Sequence, residues 1–155
     1  MLAVDIPGWR RLALEHLVLD LNGTLAVDGR PAPGVAPALE ELAASLELHL
    51  VTADTFGTAA GLFGPRVAVE VIPPGGEGAS KLALVERLGA GGVAAVGNGA
   101  NDVEMLTAAA VGICVLGPEG AAPGALFAAD VAAPGPREAL ELLLKPDRLR
   151  ATLRR

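Results

Sequence analysis

Short apolar runs alternate along the chain with segments whose apolar residues recur every three or four positions. Runs at His16–Leu21, Leu46–Thr52, Arg66–Ile72, Val93–Val96 and Val111–Leu116, with a weaker one at Asp130–Ala132, predict β-strands. Between them, Val35, Leu39, Leu42 and Leu46 share one helical face, as do Leu82, Val85 and Leu88, and then Val103, Leu106 and Ala110. Two more helices are expected near Thr55–Phe63 and Ala121–Ala128, and a last helical stretch begins near Arg137, which Pro146 breaks before a short final turn. The ends are marked by Pro33-Gly34 before the first helix, by Gly89 through Gly92 after the second, and by Asn101-Asp102, whose oxygens can cap the third.

Strand-helix-strand repetition with short loops predicts right-handed crossovers. The expected fold is a single α/β domain over residues 1–155, three-layered and Rossmann-like, with a mostly parallel sheet of about six strands and helices on both faces. Composition agrees with it. The chain has 155 residues, 52% of them hydrophobic but only 3% aromatic, so its core must be built from Ala, Val, Leu and Ile. No apolar run is long enough to span a bilayer and there is no secretory-type leader, so a cytoplasmic protein without membrane insertion is expected. A net charge of −6 argues against nucleic acid as a partner. The basic residues Lys145, Arg148, Arg150, Arg154 and Arg155 form a helical tail over about 145–155, read as a solvated helix end or a docking surface. The single cysteine, Cys114, excludes an internal disulfide and reads as a buried strand residue.

In such sheets ligands bind at the carboxyl ends of the strands, and the polar residues of interest lie there. Asp20 ends the first apolar run. A carboxylate in that position is costly to desolvate unless donors or a cation pair with it, and Gly23 and Thr24 offer backbone N–H groups in a tight turn that would also receive a phosphate; a simple loop cap is the alternative. Thr52 at the end of the second strand can donate to a phosphoryl oxygen or cap the next helix. Lys81 is one of two lysines among twelve basic residues, placed near a helix start where the dipole disfavours a cation, which suggests an anionic partner. In VGNGANDVEML, Asn98, Asn101 and Asp102 crowd oxygens into a glycine turn, suited to a hard cation or to a capped βα turn.

In order and spacing, these four elements resemble the haloacid dehalogenase (HAD) superfamily of aspartate-nucleophile phosphohydrolases, and within it the phosphorylation domain of P-type ATPases. DLNGTL is similar to the nucleophile motif, TADTFGTA to the Thr-Gly-Asp motif, SKLALVERL to the lysine motif, and VGNGANDVEML to the Gly-Asp-Gly-x-Asn-Asp motif. The resemblance implies a Mg²⁺-dependent phosphatase in which Asp20 forms an aspartyl-phosphate. Gly23, Thr24, Thr52, Ala53 and Lys81 would then hold the phosphoryl group, and Asp20, the Asn22 carbonyl, Asn98 and Asp102 the metal, Asp102 often through a water. Two positions depart from the pattern. Asn22 replaces the aspartate that serves as general acid and base, which implies slow turnover, and Asn98 replaces a metal-binding aspartate. Only about ten residues separate Thr24 from Val35, enough for a flap hairpin around Asp28-Gly29 but not for a cap domain. A capless member implies a phosphorylated small molecule or a phosphoprotein as substrate, and a homo-oligomer or a second subunit over the site. The other reading is a regulatory module that keeps the phosphate site, has lost turnover and docks on a larger partner.

Overall fold

The computed structural model describes residues 1–54 and 57–155. Strands β3 (His16–Asp20), β6 (Glu47–Thr52), β7 (Val67–Val71), β8 (Val93–Gly97), β9 (Val111–Val115) and β10 (Val131–Ala133) form one parallel sheet in the order β10-β9-β8-β3-β6-β7. These are the six runs that the sequence predicts. Two antiparallel hairpins flank the sheet, β1 (Leu2–Ile6) with β2 (Arg10–Leu14), and β4 (Ala26–Val27) with β5 (Arg30–Pro31).

Alternation along each buried strand divides the core in two. Leu17, Leu19, Leu48, Leu50, Val96 and Ile113 face one side, where they pack with α1 (Val35–Leu42), α5 (Pro136–Leu144), α6 (Pro146–Leu153) and the β1–β2 hairpin. Val18, Val51, Val93, Ala95 and Cys114 face the other, against α2 (Glu77–Leu88), α3 (Val103–Ala108) and α4 (Pro123–Ala128). Burying each Val or Leu contributes about 1.5–3 kcal/mol, and because β3, β6, β8 and β9 bury both faces, register is fixed from two sides at once.

The chain leaves β3 toward β6 and β7, then returns to build β8, β9 and β10 on the opposite side of β3. Strand order therefore reverses between β3 and β8, and a crevice opens at their carboxyl ends. Asp20 is the last residue of β3, and Asn98 follows β8.

Four features differ from expectation. The β1–β2 hairpin is absent from the predicted elements, although Val4, Ile6, Leu12 and Leu14 alternate inward and Gly8 (φ 75°) forms its turn. The helix expected near 55–63 partly lies outside the described residues; residues 57–64 form turns, since Gly57, Gly61 and Gly64 all adopt positive φ. Pro146 begins a helix rather than a brief turn, because at N1 its missing N–H costs nothing. That helix carries the basic tail back onto the hairpin: Leu149 is buried, Arg150 Nε donates to the Asp5 carbonyl, and the Arg155 N–H donates to the Pro7 carbonyl. Finally, Asp102 does not cap α3 but turns back toward the glycine loop before it.

The flap expected around Asp28-Gly29 is present as β4–β5, with Asp28 (φ 51°) and Gly29 (φ 74°) in its two-residue turn. No cap domain is inserted among the described residues, and no helix is long and apolar enough to cross a membrane.

Candidate active site

Asp20 is 8% exposed, its carboxylate carried to the crevice by a strand whose three preceding residues, Leu17, Val18 and Leu19, are apolar and fully buried. Lys81 meets it from α2. Its Nζ donates to Asp20 Oδ1 at 2.8 Å, to Asp102 Oδ1 at 2.6 Å and to Asn101 Oδ1 at 3.3 Å. An ammonium has three N–H donors, so all are used. The anionic partner that the position of Lys81 suggests is thus a pair of buried carboxylates.

Burial is the main cause that pushes the Asp20 carboxyl from its ordinary 3.8 to about 6; Asp102 adds to it, while Lys81 and the Thr24 hydroxyl oppose it. Burial also disfavours the charge on Lys81, but Asp20 and Asp102 outweigh it and hold the ammonium above its ordinary value.

Thr24 Oγ1 lies 2.9 Å from Asp20 Oδ2 and 3.0 Å from Asn98 Oδ1, and its proton serves one of them at a time. Gly23 (φ 77°) permits this close approach, since a Cβ there would sit 2.6 Å from Asn98 Nδ2. Asn98 Nδ2 in turn donates to the Gly120 carbonyl.

Asp102 is fully buried, and its second oxygen accepts the backbone N–H groups of Asn98 and Gly99 at 2.9 and 2.8 Å. Gly97 makes room for it, as a Cβ at Gly97 would lie 2.5 Å from Asp102 Cγ. Both oxygens of Asp102 are therefore engaged within the protein. Its geometry is that of an anchor for Lys81 and the 98–99 loop.

Thr52 lies at the end of β6, 3% exposed, and its hydroxyl accepts the Asp54 N–H at 3.2 Å. That bond leaves the hydroxyl proton free to donate, so the turn-capping and phosphate-binding readings are compatible. Asp20, Asn22, Gly23, Thr52, Ala53, Lys81 and Asn98 line one cleft of about 280 Å³. Of the residues expected at the site, Thr24 and Asp102 sit just behind this wall.

Glu77 and Glu119 also line the cleft, and the expected site did not include them. Glu77 opens α2, and Glu119 follows β9, where one of its oxygens accepts the Asp28 N–H of the flap at 3.4 Å. Glu77 stands at a helix start and Glu119 in a loop whose course depends on packing, so their acidity is the one signal the sequence offers for them. Two carboxylates thus pair with the Lys81 ammonium, and two more line the cleft. An excess of negative charge with an oxygen-only donor set fits a hard divalent cation better than an unaccompanied phosphate.

No family model matches the chain. It is 39% identical over 84 residues to an uncharacterised protein of Methanocaldococcus jannaschii, a match covering 52% of this chain and 90% of that protein. Among solved structures, a protein of Streptomyces avermitilis assigned to the HAD family of hydrolases is similar, with a TM-score of 0.67 and 20% identity over 92% of this chain and 91% of that one. The cobalt-bound deoxy-D-mannose-octulosonate 8-phosphate phosphatase of Haemophilus influenzae has a TM-score of 0.64 at 14% identity, covering 91% and 90%. The 3-deoxy-D-manno-octulosonate 8-phosphate phosphatase of Moraxella catarrhalis, in complex with magnesium, phosphate and its sugar acid, has a TM-score of 0.59 at 21% identity, covering 92% and 94%.

Proposed function

The chain belongs to one family with the Methanocaldococcus jannaschii protein and carries the HAD fold, and on that footing we propose that it is a phosphoric ester hydrolase acting on a phosphorylated small molecule through Asp20. The observation that carries this reading is a buried carboxylate, held by Lys81 at the strand-order reversal and facing a cleft. A purely structural ion pair would not need to open onto a crevice.

The substrate phosphate enters between Gly23, Thr52, Ala53 and Lys81. The longest contact of Lys81 is the one to Asn101, and that N–H is the one that swings to a phosphoryl oxygen while the bonds to Asp20 and Asp102 hold. Asp20 attacks phosphorus, the ester P–O bond breaks, and the departing alkoxide takes its proton from water. Water then attacks the aspartyl-phosphate, releasing inorganic phosphate and restoring the carboxylate. Asn22 lines the cleft without an ionisable group, so neither proton transfer has a side-chain partner there, and slow turnover follows. A divalent cation, with Mg²⁺ the choice for an oxygen-only set, would be held by Asp20, the Asn22 carbonyl and Asn98 Oδ1 and would neutralise the phosphoryl oxygens. The magnesium and phosphate of the Moraxella complex support this reading.

Asn22 also favours a second reading, a phosphate-binding module without turnover. The deciding experiment incubates the protein with Mg²⁺ and p-nitrophenyl phosphate, follows product release, and assays the acid-quenched protein for a hydroxylamine-sensitive phosphoryl group. The hydrolase reading expects labelling that Asp20→Asn abolishes, with at least a burst of product. Phosphate binding without labelling or product would leave the module reading standing.

A further inference from the structure

The two histidines of the chain, far apart in sequence, meet at the amino ends of β3 and β6. In the parallel register His16 pairs with Glu47 and Val18 with His49, so all three polar side chains project from the same sheet face. His16 Nδ1 lies 3.3 Å from His49 Nε2 and 3.4 Å from Glu47 Oε2, and the three groups offer ligand atoms within 4.8 Å of one another. His49 is 9% exposed, whereas the Glu47 side chain is 76% exposed and opens the cluster to solvent.

We propose that His16, His49 and Glu47 form a binding site for a borderline divalent cation of the Zn²⁺ class, separate from the Asp20 cleft. The separations fit that geometry. Zn–N and Zn–O bonds of about 2.0–2.1 Å at tetrahedral angles put neighbouring donor atoms about 3.3–3.4 Å apart. The same separations are long for hydrogen bonds, which favour about 2.9–3.0 Å.

Proton placement within the cluster points the same way. If His49 Nε2 accepts from His16, the proton of His49 sits on Nδ1, which is buried without a partner among the described residues. If Nε2 instead donates, the Nδ1 lone pair is left buried, and the His16 lone pair faces the Glu47 carboxylate. The Nδ1–H of the first arrangement stays in place when a metal takes Nε2, so what is unmet lies at the centre of the cluster: one His16 proton faces two acceptors in the first arrangement, and Glu47 receives none in the second. A cation takes the lone pairs of His16 Nδ1 and His49 Nε2 and the Glu47 charge together. Burial first, and then His16, hold His49 below its ordinary value and so keep its lone pair available, with Glu70, Glu47 and Arg87 the other charges that act on it. Two imidazoles and one carboxylate select Zn²⁺, Co²⁺ or Ni²⁺ over Mg²⁺, and a water fills the fourth position on the exposed side. His16 and Asp20 stand four residues apart on one strand, roughly 13 Å, so the metal cannot bridge the two sites. It clips β3 to β6 at the end remote from the cleft.

The test titrates the full chain with Zn²⁺ by calorimetry in excess Mg²⁺, and with Co²⁺ by visible absorption. The expected result is one Zn²⁺ per chain that Mg²⁺ does not displace, tetrahedral Co²⁺ absorption, and a higher melting temperature with Zn²⁺. His16→Gln, at a side chain 16% exposed, should weaken Zn²⁺ binding by more than about 100-fold, beyond what loss of an outer-sphere partner causes, and Glu47→Gln, at the exposed edge of the cluster, by about tenfold or more. Asp20→Asn should leave it unchanged. Failure of the parent to bind Zn²⁺, equal binding by the parent and His16→Gln, or loss of binding in Asp20→Asn would each overturn the proposal.

Discussion

Asn22, Asp20 and Lys81 each carry a distinct expectation. Water attacking an aspartyl-phosphate must lose a proton, and general acid–base groups contribute about 10²–10⁴-fold. Asn22→Asp should therefore raise steady-state hydrolysis of p-nitrophenyl phosphate toward that range and shorten the lifetime of the phosphoenzyme, as followed by quenched-flow labelling. Asp20 is held protonated to a higher pH in the folded chain, about 6, than its ordinary 3.8. The stability it contributes is therefore complete below about pH 4 and lost as pH rises through 6, a difference of about 3 kcal/mol. Asp20→Asn should melt above the parent at pH 8 in the absence of divalent metal, and the gap should close toward pH 4. Lys81→Met has the opposite sign, since it leaves two buried carboxylates facing each other; a loss of about 3–5 kcal/mol in urea unfolding is expected at pH 8.

At the level of elements, α6 and the β1–β2 hairpin form one structural unit. Leu149 is fully buried beneath them, so Leu149→Ala should cost about 2–5 kcal/mol, while Arg154→Ala, on the exposed end of the same helix, should stay within about 0.5 kcal/mol. Chemical denaturation of the two variants separates these outcomes. The six sheet strands are legible because burial on both faces leaves uninterrupted apolar runs. The hairpin carries a different and weaker signal: LAVDI and RRLAL alternate around Pro7-Gly8, a period-two pattern with Val4, Ile6, Leu12 and Leu14 inward and Ala3, Asp5, Arg11 and Ala13 outward. Residues 57–64 mislead because Leu62 and Phe63 suggest a helical face that three glycines undo. At the candidate site, Asp20, Thr52, Lys81 and Asp102 are legible as polar residues at strand ends and at a helix start. The engagement of Asp102 is not, since it depends on how closely the chain passes at Gly97. Nor is the meeting of His16 with His49, which exists only once β3 and β6 are in register.

Over the whole molecule the charge balance is negative, and the cleft repeats it: Asp20, Glu77 and Glu119 line it with Lys81, and Asp102 pairs with that lysine from behind the wall. A phosphate dianion approaching this mouth alone is repelled. Calorimetry with inorganic phosphate should show binding in the presence of Mg²⁺ and little or none in EDTA; equal binding under both conditions would remove the cation from the account. The same sheet that positions the cleft encloses Cys114, with no exposed surface, on β9 between β8 and β10. Burial pushes its thiol above the ordinary value, so it presents neither access nor thiolate to an oxidant. Since the chain has one cysteine, labelling by an excess of a thiol reagent counts only the moments when the sheet parts. Cys114 is in effect a built-in clock for the opening of the core, readable in the unmutated protein.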